Sequence, residues 1–170
     1  MQVGRLTHVA EVRGVDLYVH WTIFLIVGLL LVGSNREPLT TLAAVVGYLG
    51  LLILHESGHV LAAQLQGYEA FSIALYPIFG LASLEIPESR FDRALISWGG
   101  VAAQMTVAIP VVVCVSLWGY TRVEALNTVL VIFGNYSLCA AAFNLLPIRP
   151  LDGSVAWSII PAYFERRRTT

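Results

Sequence analysis

The chain contains no lysine, and only 12% of its 170 residues are charged. A soluble domain carries about twice that charged share, so a water-exposed globular surface does not fit. All ten basic side chains are arginines and the net charge is −1, so no basic patch is available for nucleic acid. Cysteine is almost as scarce. Cys114 and Cys139 both lie in apolar runs, which argues against a disulfide framework and for small core or lipid-facing residues. The first nineteen residues include Arg5, Glu11, Arg13 and Asp16, with no apolar stretch before Val19. A cleaved signal peptide is therefore not expected. Internal repeats, low-complexity tracts and flexible linkers are also missing, so residues 1–170 are read as one domain.

What the chain does have is apolar surface: 57% of its residues are hydrophobic, and the mean hydropathy is +0.74. Crossing a bilayer takes about 20 mostly apolar residues. Stretches 18–33, 39–65, 94–118 and 125–146 qualify or nearly do, and a shorter apolar piece covers 153–164. The expected fold is an α-helical polytopic membrane protein with about four transmembrane helices and a short C-terminal helix. Residues 71–75 and 81–86, flanking a turn at 77–80, alternate as a hairpin does. They predict a small membrane-associated β-sheet, with residues 5–19 as further extended structure.

Four spans put both termini and the loop after span two on one side. That side holds Arg5, Arg13, Arg90, Arg93, Arg149, Arg166, Arg167 and Arg168, against Arg36 and Arg122 on the other. The positive-inside rule then predicts that both termini face the cytosol.

The stretch LLILHESGHVLAAQL stands out, because it places His55, Glu56 and His59 inside an apolar span. Ionisable groups at membrane depth are costly and usually have a partner and a role. His-Glu-x-x-His on a helix sets its histidines on one face, one turn apart. Two such imidazoles can bind one zinc, and the glutamate beside them can act as a base. The bland reading is polar packing between helices, and for Gly58 and Ser57 it suffices.

A catalytic zinc needs a third protein ligand. His8, His20, Glu69, Glu85, Glu88 and Asp152 are the candidates. His20 beside Trp21 reads as an interfacial anchor, and the three glutamates as loop residues. His55 lies ten residues from Leu65, about 15 Å from that end of span two at helical rise. Asp152 follows span four after Pro147 and Pro150, which turn the chain back. It can reach the His55/His59 face from the same half of the membrane, or cap the final helix.

These segments resemble the site-2 proteases, a family of zinc-dependent intramembrane metalloproteases. VRGVDLYVHWTIFLI is similar to the family's opening segment and ILHESGHVLAA to its metal-binding helix. IALYPIFGLASLE resembles the membrane-associated sheet, and FNLLPIRPLDG the last core helix with an aspartate ligand. The resemblance implies one zinc per chain held by His55, His59 and Asp152, with Glu56 as general base. It also implies that Asn144 helps to hold the substrate backbone or the oxyanion. Without the resemblance, Asn144 reads equally well as an interhelical hydrogen-bonding amide. Arg149, Ser154 and Gly100 depart from the family pattern, and Ala103 with Gln104 stands near an expected asparagine. Neither a PDZ module nor a CBS pair is seen, so a minimal core is expected.

The expected function is therefore hydrolysis of peptide bonds in or near transmembrane segments of another membrane protein. The site would open toward the cytosol, in a bacterial plasma membrane, and the 81–86 strand would receive substrate by edge pairing. A non-catalytic metal-binding scaffold of the same family is the alternative, disfavoured by the intact Glu56. A metal transporter should offer several staggered sites rather than one compact site. Hydrolysis of lipid or small amide bonds is disfavoured by the full match.

Overall fold

The N-terminal residues alternate in character and pair as strands. β1 (Leu6–Val12) and β2 (Val15–His20) form a hairpin, in keeping with the extended structure expected there. Its two-residue turn places Arg13 at φ 53° and Gly14 at φ 80°, the left-handed pair whose twist suits antiparallel strands. The computed structural model describes residues 6–32 and 37–169. Arg5, Gly33 and Arg36, which enter the span and charge readings, lie outside the described residues, as do the side chains of Arg166 and Arg168.

After β2 comes α1 (Ile23–Val32), only ten residues long. At 1.5 Å per residue it reaches about 15 Å, half of a hydrocarbon core. The first span expected over 18–33 is thus divided between the end of β2 and this short helix. Hydropathy could not reveal the division, because Tyr18 and Val19 suit a strand as well as a lipid-facing helix.

α2 (Pro38–Leu65) has proline at its first helical positions, where the missing N–H is an orphan in any case. The chain reverses at Gly67, φ 84°, into β3 (Ala70–Leu75) and β4 (Gly80–Leu84). This is the expected hairpin, except that the second strand stops at Leu84, ahead of Pro87, which has no N–H to extend a ladder. The four strands lie in the order β1-β2-β3-β4, with β2 parallel to β3. The sheet, through Val15, Ile73 and Leu75, and α1, through Ile23, form one apolar cluster with Val60 of α2. The Tyr48 hydroxyl donates to the Pro77 carbonyl at 2.5 Å. The β3–β4 hairpin therefore runs back along α2, past the level of His55.

α3 (Arg90–Trp118) starts at Ser89, whose Oγ accepts the Asp92 N–H, and ends at Gly119, φ 75°. α4 (Glu124–Asn144) contains a π turn at Ile132–Tyr136. Among the described residues, α2, α3 and α4 are the helices long and apolar enough to cross a membrane. At most 22% of each apolar window is buried within the protein, so most of it is available to lipid. The C-terminal apolar piece is two short helices, α5 (Gly153–Ala156) and α6 (Ile159–Thr169).

Candidate metal centre

Helical spacing puts His55 and His59 on the face of α2 that meets α3. The backbones touch there. A Cβ on Gly58 would strike the Gly99 carbonyl and the Ala103 methyl, and one on Gly99 would strike the Gly58 carbonyl. This close approach, expected of Gly58 from the sequence, buries the motif: His55, Glu56 and His59 are 8%, 4% and 7% exposed.

α3 then orients both rings. The His59 Nδ1–H donates to the Ile96 carbonyl at 2.9 Å, and the His55 Nδ1–H to Gln104 Oε1 at 3.0 Å. A carbonyl oxygen can only accept, so the proton sits on Nδ1 and each Nε2 presents a lone pair. The two Nε2 atoms are 3.1 Å apart. Gly100 forms the floor beneath them: a Cβ there would lie 2.6 Å from His55 Cε1 and His59 Nε2.

Asp152 completes the group. Its Oδ2 lies 3.0 Å from His55 Nε2 and 3.4 Å from His59 Nε2. Asp152 precedes α5, yet its side chain makes no capping hydrogen bond, so the carboxylate faces the imidazoles instead. A tetrahedral zinc with bonds of about 2.0–2.1 Å needs its ligand atoms roughly 3.3 Å apart. The three separations, 3.0, 3.1 and 3.4 Å, match that requirement. These three side chains could hold a metal ion, and two imidazoles with one carboxylate suit zinc.

Asn144, at the end of α4, brings Nδ2 to 3.5 Å from His55 Nε2, so its amide borders the same space. Glu56 packs on the first residue of β4: a Cβ on Gly80 would collide with the Glu56 Cγ, Cδ and Oε1. The rejected candidates lie elsewhere. His8 pairs with Asp16 across the β1–β2 hairpin at 3.0 Å. The His20 ring stacks on Tyr76 at 5.1 Å, with Nδ1 2.6 Å from Thr22 Oγ1. Glu85 accepts from the Glu69 backbone N–H.

Sequence reasoning noted Gly100 and Gln104 only as departures and missed the Ile96 carbonyl. Their signal was spacing: Ile96, Gly100 and Gln104 recur every fourth residue, one stripe of α3. An amide in an apolar helix, buried to 2% exposure, marks that stripe as facing polar groups.

No family model matches the chain. A protein of Synechocystis sp. named "putative zinc metalloprotease" is 31% identical over 175 residues, covering 89% of this chain and 44% of its own length. The chain thus spans less than half of that relative. The structure of the site-2 protease from Methanocaldococcus jannaschii superposes with a TM-score of 0.73 at 20% identity, covering 93% of this chain and 72% of that one. The archaeal likeness carries the fold, and the cyanobacterial one the relation to zinc metalloproteases. With apolar helices long enough to cross a bilayer, the chain is an integral membrane protein that has the fold of that site-2 protease and a sequence likeness to a zinc metalloprotease.

Proposed function

We propose that the chain is a zinc-dependent endopeptidase that cleaves transmembrane segments of other membrane proteins. The observation that supports this most is the convergence of His55 Nε2, His59 Nε2 and Asp152 Oδ2 beside the buried Glu56. In this reading the three ligands hold one zinc per chain. Zinc bound there supplies Lewis acidity toward a peptide carbonyl. Glu56 takes a proton from the attacking water on its carboxylate and returns it to the leaving amine. Asn144 Nδ2 donates a hydrogen bond to the substrate carbonyl.

A helical peptide bond must unwind before it can be attacked, and unwinding frees backbone groups that lipid cannot satisfy. β4 offers those groups new partners. It is an edge strand of the sheet, and its first residue packs on Glu56. A substrate strand paired to that edge would lie close to the base. Of the ten arginines, Arg13, Arg90, Arg93, Arg149 and Arg167 among the described residues belong to the half that carries the loop after α2 and the C-terminal helices. The positive-inside rule makes that half cytosolic, and His55 about 15 Å below it. The site would take its water from the cytosol.

Bound zinc per chain, measured on detergent-purified protein, tests the centre before any substrate is known. About one zinc is expected in the unaltered chain and in Glu56→Gln, and much less in Asp152→Ala. No zinc in the unaltered chain after metal is supplied would defeat the reading. Against a model transmembrane peptide, Glu56→Gln should lose at least ~100-fold in cleavage.

A further inference from the structure

His55 and His59 share one turn of a long helix, but Asp152 has no comparable support. It follows a seven-residue irregular stretch, 145–151, after the end of α4. The two indole N–H groups near it bracket that stretch. Trp157 Nε1 donates to the Leu145 carbonyl at 2.7 Å, tying the far side of Asp152 to the start of the loop. Trp98 Nε1, from α3, donates to the Ala156 carbonyl at 3.0 Å. Trp98 lies two residues after Ile96, whose carbonyl holds His59.

Both acceptors sit at helix ends, Leu145 as the residue closing α4 and Ala156 as the last of α5. Terminal carbonyls lack helical partners and are costly to leave unpaired away from water. The indole rings also meet edge-on, with centroids 5.4 Å apart at 83°. Gly153 presses on the same place: a Cβ there would collide with the Leu145 and Leu146 carbonyls. The loop is thus closed on itself by one tryptophan and fastened to α3 by the other.

We infer that Trp98 and Trp157 are positioning residues for the third metal ligand, holding the Asp152 carboxylate in register with the two imidazoles. This rests on the metal centre proposed above. Neither indole needs to touch the metal; each acts through the backbone that carries Asp152.

The test uses the full chain in detergent, with zinc affinity measured by competition against a chromophoric chelator. Trp98→Phe and Trp157→Phe keep an aromatic ring and remove the donor. Each should bind zinc roughly tenfold more weakly, the low end for outer partners of a metal site. In an Asp152→Ala background, the same replacements should cause no further loss, because the ligand they position is gone. Trp118→Phe, at the exposed end of α3, should bind as the unaltered chain does. Thermal unfolding of the zinc-free variants separates a loss of affinity from a loss of fold. The two donors are replaced separately, so that one variant failing to fold leaves the other to decide. Unchanged affinity in the folded Phe variants, or an equal loss with and without Asp152, would overturn the clasp and leave the centre standing. No zinc in the unaltered chain would overturn both.

Discussion

The two halves of the candidate metal centre are built by opposite means. His55 and His59 lie four residues apart on α2, and their rings are oriented by a single stripe of α3. Asp152 is separated from His55 by 97 positions and arrives on an irregular loop. Helix periodicity delivers the first half as a unit. The second half depends on long-range contacts that fix where a proline-rich turn places one carboxylate. A helix-held ligand is hard to move, whereas a loop-held ligand is only as precise as its fastenings.

Substitutions on α3 and on β4 sharpen that contrast, and their expected effects on zinc binding run from severe to none. Gly100→Val is the most severe. It puts a branched side chain where even a methyl would sit 2.6 Å from both imidazoles, and zinc affinity should fall by more than ~100-fold. If the valine variant binds zinc normally, α3 is not the floor of the site. Gln104→Leu removes the acceptor for His55 Nδ1, and a loss of about 10–100-fold is expected from chelator competition. Gln104→Glu keeps an acceptor oxygen and should lose less; an equal loss in both would point to packing rather than the hydrogen bond.

At the far end of the scale, proline replacing Leu81 or Ser83 should leave zinc content unchanged. It interrupts the edge of β4, and a misplaced substrate strand should slow cleavage of a model transmembrane peptide by up to ~100-fold. Cleavage at the unaltered rate would dismiss edge pairing and leave the metal centre intact.

Much of this molecule was legible from pattern. The three long spans, the β3–β4 hairpin and the extended N-terminal segment all follow from apolar runs, alternation and turn residues. The first span did not survive as read, because the same apolar residues satisfy a strand paired on both sides and a helix facing lipid. His55, Glu56 and His59 were visible as ionisable residues in an apolar helix. Asp152 was visible only as one of several acidic and imidazole candidates until the family resemblance singled it out. Gly100, Gln104 and the Ile96 carbonyl went unassigned, since a backbone carbonyl has no sequence signature and a glycine's neighbours are set by another helix.

The chain by itself determined its solvent and its chemistry. A charged fraction of 12% and long apolar runs leave lipid as the medium, and His-Glu-x-x-His brings two imidazoles and a carboxylate to one helical turn. Only the tertiary structure decided which carboxylate meets them, which nitrogen of each ring is left free, and which strand lies against Glu56. Local geometry reaches a few residues along a chain, while the Asp152 separations, the α3 floor and the β4 edge join segments tens of residues apart. Those are settled by what packs, and by which buried polar groups must find a partner.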